Sequence, residues 1–234
     1  MNYRLGSLKT TEFRLLIECC RWSFAGGNDE EIRELAGKAA WPRFVQLCRR
    51  HRVQGLVQRC LRELEHSGEA AAALSDDAAA IAEHNLRAAR QSALLLDVFT
   101  TAAIPLIFVK GLTLSKLAYG DAFVKMSQDV DVLVPARSIA RAAAALDQLG
   151  FRLELPAVSP RSPRFGRWHR QRKESVWRSP DGLMLDLHSR LADSPRLIPA
   201  ISAGSPQQLV EVAPGIGGDE VPCAVLAHEL AHQW

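Results

Sequence analysis

Asp129 and Asp131 sit two residues apart in Asp129-Val130-Asp131-Val132-Leu133-Val134, a run that is otherwise apolar and largely β-branched. Such a run reads as a strand, and residues two apart in a strand share a face. Both carboxylates then point one way, while Val130, Val132 and Val134 point the other way into a core. Like charges side by side on a half-buried strand repel one another and lose hydration. A divalent cation held between them removes both penalties. In Leu183-Met184-Leu185-Asp186-Leu187-His188 the same alternation puts Met184, Asp186 and His188 on one face. A lone aspartate in an apolar strand must be paired or bound to something. If the two strands are neighbours, Asp186 is a third carboxylate at the same place. Carboxylates around an open site suit Mg²⁺, which keeps waters and accepts substrate phosphates as further ligands. The plainer alternative is that each aspartate pairs with a nearby arginine or closes a turn.

Two further patterns compete for attention. His228-Glu229-Leu230-Ala231-His232 fits H-E-x-x-H, in which two histidines one helical turn apart bind Zn²⁺ and the glutamate serves as base. A catalytic zinc needs a third protein ligand, commonly downstream, and the chain stops at Trp234. A structural helix therefore competes with a zinc site there. The stop just after an apolar helix also suggests that a further helical segment is missing. Arg161, Arg164, Arg167, His169, Arg170, Arg172 and Lys173 form a basic stretch around Trp168. It could attract polyphosphate or nucleic acid, or simply be a solvated loop; one interleaved aromatic is thin for stacking single strands.

The elements that must position these groups follow from hydrophobic period and breakers. Thr10 or Thr11 caps a helix to about Trp22, and Asn28 or Asp29 caps a second through Ile32 and Leu35. Trp41-Pro42 opens a third, with a bend near His51 to Gly55, and an alanine-rich helix runs roughly 75–102. At Ile104-Pro105 the character changes. Leu106 to Val109 reads as a buried strand, and Lys110-Gly111 as a turn into a helix over Thr113 to Tyr119. The Asp129 strand follows, then a helix over Ser138 to Leu149 stopped by Gly150. Phe151 to Leu155 is a strand, Pro156 to Lys173 a loop, and Glu174 to Arg178 a strand joined by Pro180-Asp181-Gly182 to the Asp186 strand. From 194 the chain reads as loop, with a last helix over 222–234. This order predicts an α+β protein: a helical N-terminal region over 1–102, an α/β core over 103–193, and a loop with a C-terminal helix over 194–234.

Composition limits the alternatives. The chain has 234 residues, 47% hydrophobic and 24% charged, which is ordinary globular usage, and a formal charge of +3 forces no nucleic-acid partner. No apolar run reaches the ~18 residues of a membrane span, and Arg14, Glu18 and Arg21 interrupt the first helix, so no signal core is present. Five cysteines without metal-like spacing read as reduced thiols of a cytoplasmic protein.

Taken together, Gly111 in a strand-to-helix turn, an Asp-x-Asp strand and a later third aspartate resemble the polymerase-β-like nucleotidyltransferase fold. More narrowly, Lys110-Gly111, Lys125, Asp129-Val130-Asp131 and Asp186-Leu187-His188 resemble the uncharacterised nucleotidyltransferase family, most strongly over 104–191. The resemblance implies a mixed sheet flanked by helices. It also implies Mg²⁺-dependent transfer of a nucleoside monophosphate from an NTP such as ATP to a hydroxyl acceptor on protein, small molecule or RNA. Asp129, Asp131 and Asp186 would be the catalytic metal ligands, for two Mg²⁺ ions or Mn²⁺, with Asp186 alternatively the base. Lys110, Gly111, Thr113 and Lys125 would bind nucleotide, and His188 would stand behind the ligands. Leu112 replaces the usual serine, so Thr113 must supply any hydroxyl there, and Lys125 stands where an arginine is usual. No DNA sequence recognition and no membrane partner are implied. The rivals are the zinc hydrolase through His228, Glu229 and His232, and an inactive nucleotide- or partner-binding member of antitoxin type.

Overall fold

Caps and breakers set the helices of the N-terminal region. In the computed structural model, which describes residues 10–194, 196–198, 202–205, 207–212 and 221–224, Thr10 Oγ1 accepts the Phe13 amide at 3.3 Å and opens α1 (Thr11–Ala25). Asn28 does the same for α2 (Asp29–Lys38) by accepting from the Glu31 amide. Pro42 lies in the first turn of α3 (Trp41–His51), where its missing N–H costs nothing. The expected bend is a break: Arg52 takes a left-handed conformation with φ 58°, and α4 (Gln54–Glu63) starts afresh. The alanine-rich α5 is longer than its periodicity suggests and runs Glu69–Thr101.

The chain divides into two contact units, Met1–Asn85 with Ala118–Met126, and Leu86–Leu117 with Ser127–Trp234. In the first, the apolar faces of the helices meet in a cluster that includes Leu15, Cys19, Ile32, Phe44, Cys48, Val57, Cys60 and Leu74. Each large side chain buried there contributes roughly 1.5–3 kcal/mol. The same unit fixes the segment before the Asp129 strand. Asn85 Nδ2 donates to the carbonyl oxygens of Ala122 at 3.1 Å and Lys125 at 2.8 Å.

The second unit carries a seven-stranded mixed sheet of order β3-β4-β5-β2-β1-β7-β6. Its strands are β1 (Ile107–Phe108), β2 (Asp129–Leu133), β3 (Arg152–Leu155), β4 (Glu174–Arg178), β5 (Met184–His188), β6 (Gln207–Val210) and β7 (Val221–Ala224). At its centre β2 and β5 run parallel, while β4 is antiparallel to β5 and β1 antiparallel to β2. α6 (Leu112–Tyr119) connects β1 to β2, and α7 (Ile139–Gln148) connects β2 to β3, after a 3₁₀ turn at Ala136–Ser138. Val130, Val132 and Val134 are buried, as their alternation predicts.

Two stretches differ from the sequence expectation. Half of the basic loop is a helix, α8 (Pro163–Gln171), capped by Ser162 and started by Pro163. Phe165 and His169 are its buried residues, and Phe165 meets the Trp177 ring edge-on at 6.1 Å. Because Ser175 and Trp177 alternate with Glu174 and Val176, α8 covers the face of β4 opposite to Glu174. Beyond 194 the chain contributes β6 and β7, and Val221–Ala224 is strand where the start of a terminal helix was expected. Residues 225–234, with His228, Glu229 and His232, lie outside the described residues.

Candidate active site

Strand register brings the carboxylates together. In the β2–β5 pair Asp131 stands beside Asp186 and Leu133 beside His188. In the β4–β5 hairpin Val176 stands beside Asp186 and Glu174 beside His188. Asp131, Asp186 and His188 each offer an atom, all within 4.8 Å of one another. Asp129 lies on the same strand face as Asp131, one alternation earlier; its charge acts on Asp186, and the Asp131 charge acts on it.

Asp131 is the most constrained of the three, at 2% exposure. Its Oδ1 accepts from Lys110 Nζ at 2.8 Å and lies 2.9 Å from His188 Nε2. Its Oδ2 is buried and has no partner among the described residues. A buried carboxylate oxygen left without a donor is costly, so this atom is one that a cation would satisfy. Burial acts to raise the Asp131 pKa, but the hydrogen bonds from His188 and Lys110 outweigh it and hold the carboxyl below its usual range. Asp129 is shifted up, by burial and then by the Asp131 charge, with Lys110 opposing. Asp186 is pushed up to about 6 by burial first, then by Glu174, Asp129 and Asp131. For Lys110 burial works against the charge, yet the bond to Asp131 and the surrounding carboxylates leave its pKa raised. One anchored carboxylate thus faces another that holds its proton close to neutral pH, a division of labour typical of acid–base and metal sites.

The turn after β1 is built around Gly111. Its φ is +66°, and a Cβ there would lie 2.5 Å from Ser127 Oγ. Ser127 Oγ in turn donates to the Asp129 carbonyl at 2.9 Å, so the turn is packed directly onto the approach to β2. Thr113 is buried, and its hydroxyl donates to the Lys110 carbonyl at 3.1 Å, fixing the turn. A cavity of about 20 Å³ lies among Lys110, Gly111, Thr113, Ser127, Asp129 and Asp131. That is room for a water or an ion, not for a nucleobase.

The residues singled out from sequence therefore separate into groups. Lys110, Asp129, Asp131, Asp186 and His188 converge, with Gly111 and Thr113 forming the adjoining turn. Lys125 belongs to the first unit, is exposed, and is tied down through its carbonyl by Asn85. Glu174 carries no motif signal, yet its Oε2 lies 3.3 Å from His188 Nδ1 and its charge acts on Asp186. It could have been found by arithmetic, since a hairpin turning about Asp181 pairs 174 with 188 as it pairs 176 with 186. Ser127 was equally silent, because nothing local says that it backs Gly111.

The donor set fits the group that such a site would hold. Two or three carboxylate oxygens, one of them buried and unpartnered, suit a hard divalent ion, while both nitrogens of the adjacent imidazole already face carboxylates. In comparison with known proteins, a family model described as uncharacterised nucleotidyltransferase matches residues 37–233. No curated protein and no solved structure matches the chain.

Proposed function

The chain belongs to the uncharacterised nucleotidyltransferase family, and on that premise we propose that it transfers a nucleoside monophosphate from an NTP to a hydroxyl acceptor, releasing pyrophosphate, in a Mg²⁺-dependent reaction. Family membership supports nucleotidyl transfer in general. The donor, with ATP as one candidate, the acceptor (protein, small molecule or RNA), the choice of Mg²⁺ over Mn²⁺ and a cytoplasmic setting are our reading. Among the described residues no helix is long and apolar enough to cross a membrane, and Cys19, Cys20, Cys48 and Cys60 are all free thiols.

The observation that carries the proposal is the buried, unpartnered Asp131 Oδ2 beside Asp186. Asp129, Asp131 and Asp186 would hold the ions, which when bound neutralise the charge that develops on the transferring phosphoryl group. Asp131, pinned through Oδ1, keeps a fixed orientation and does not reorganise as the reaction proceeds. In the alternative in which Asp186 holds no ion, its pKa, pushed up to about 6, lets it receive a proton from the acceptor hydroxyl near neutral pH. Lys110 is protonated, its side chain 57% exposed, and can reach from Asp131 towards the phosphates. Gly111 lets backbone amides approach an anion, while Thr113 holds the shape of the turn.

The test is incorporation of α-labelled NTPs, each supplied singly, into total RNA, small hydroxyl compounds and protein, with Mg²⁺ or Mn²⁺. Wild-type chain should transfer label to one class, and Asp131→Asn and Asp186→Asn should each lower the rate by about two orders of magnitude or more while urea unfolding stays cooperative. Binding of Mg-NTP without transfer to any acceptor would instead favour the inactive nucleotide-binding reading. Stoichiometric zinc lost on His228→Ala would favour the hydrolase.

A further inference from the structure

His188 is 1% exposed, so water does not choose its ring orientation. Its two nitrogens face two carboxylates: Nε2 is 2.9 Å from Asp131 Oδ1 and Nδ1 is 3.3 Å from Glu174 Oε2. The second is an ion-pair contact rather than a well-aligned hydrogen bond. Turning the ring over would put carbon where each nitrogen now stands and leave Asp131 Oδ1 with Lys110 alone. Only the flexible, half-exposed Lys110 side chain would then keep Oδ2 as the open oxygen of the Asp131 carboxylate.

Glu174 is itself held in place. The β4–β5 register sets it opposite His188. The indole N–H of Trp168 donates to its carbonyl at 2.7 Å, and Lys173 Nζ pairs with the same Oε2 that faces His188. A continuous line of polar contacts thus crosses three strands, from Lys173 through Glu174, His188 and Asp131 to Lys110.

We propose that Glu174 is a positioning residue that acts through His188 to fix the Asp131 carboxylate with Oδ2 presented to a cation. The inference rests on the metal-dependent reading of the site given above and deepens it by assigning a role outside the aspartates. Groups that orient a ligand in this way commonly change metal affinity by about 10- to 100-fold when removed.

The test reads Mn²⁺ binding by calorimetry on the full chain without nucleotide, alongside urea unfolding of the metal-free protein. Glu174→Asp is the deciding variant. It keeps the charge but draws the oxygens back by one methylene, away from Nδ1. Glu174→Asp and Glu174→Ala should each weaken Mn²⁺ binding about tenfold with little change in the unfolding midpoint. Glu174→Gln, which keeps an oxygen at full length, should retain most of the affinity. If Glu174→Ala fails to fold, the Asp and Gln pair still decides. Should Glu174→Asp bind Mn²⁺ like wild type while Asp131→Asn does not bind, the positioning role is overturned and the metal site stands. If wild-type chain binds no Mn²⁺, both fall.

Discussion

At the scale of single residues, Gly111 shows why a motif can be read correctly for an incomplete reason. A glycine in a strand-to-helix turn signals close approach of backbone to an anion. The structure adds a steric demand from inside the chain: φ is +66°, and Ser127 Oγ occupies the space of a Cβ. Gly111→Ala should therefore cost about 2–3 kcal/mol, part from left-handed strain and part from the clash. Ser127→Ala removes the clash but not the strain. A double-mutant cycle by urea unfolding should show Gly111→Ala roughly 1 kcal/mol less costly in the Ser127→Ala background. Additive effects would mean that the turn relaxes away from Ser127. Asp129, Asp131, Asp186 and His188 were legible because alternation in an apolar strand leaves so few explanations for a charge. Glu174 and Ser127 were not, because their meaning depends on which residues other strands bring beside them.

At the scale of elements, local signals sufficed where an element carries its own boundaries. Thr10 and Asn28 cap α1 and α2, and the Pro180-Asp181-Gly182 turn joins β4 to β5. α8 was hidden because its apolar stripe is only Phe165, Trp168 and His169 among arginines, too short to register as a period. β6 and β7 were hidden because a strand late in the chain pairs with β1 through the Phe108–Cys223 register, which no local pattern announces. Gly55 had a physical reason other than the bend assigned to it. A Cβ there would lie 2.1 Å from the Val124 carbonyl oxygen, so α4 needs glycine to let the 121–126 segment pass. Asn85 on α5 holds the same segment by its Ala122 and Lys125 carbonyls. Gly55→Ala should destabilise by about 3 kcal/mol, since the obstructing atom is backbone and cannot swing aside. Asn85→Ala should cost about 2 kcal/mol by leaving buried carbonyls unpaired. Urea midpoints check both, and a Gly55→Ala protein as stable as wild type would show that the segment is free to move off α4.

At the scale of the whole molecule, the α+β class and, α8 aside, the order of elements from β1 to β5 could be read from the sequence, whereas the grouping of 118–126 with the N-terminal helices could not, because it depends on Gly55 and Asn85 meeting a distant segment. Stability against pH is likewise a property of the whole chain, and the buried His169 and the half-buried Asp186 pull it in opposite directions. His169, 6% exposed and 3.0 Å from Ser175 Oγ through Nε2, is lowered from 6.5 to about 4 by burial, then by the charges of Arg190 and His188. The unfolded chain takes up that proton first as pH falls. The His169 contribution, on the order of 3 kcal/mol, is therefore complete above about pH 6.5 and lost as pH falls towards 4. Asp186 is raised from 3.8 to about 6, so its contribution is complete below pH 3.8 and lost as pH rises through 6. The two slopes oppose each other in metal-free protein. Asp186→Asn removes one of them, and stability between pH 4.5 and 6.5 should then climb with pH more steeply than in wild type, by at most about 1.4 kcal/mol per pH unit. A divalent ion requires Asp186 as the carboxylate and so competes with its proton. Mg²⁺ should raise the wild-type unfolding midpoint more at pH 7.5 than at pH 5, and should do little to Asp186→Asn at either pH. Equal stabilisation at both pH values, or stabilisation that survives in Asp186→Asn, would place the ion away from Asp186 and remove that residue from the metal site.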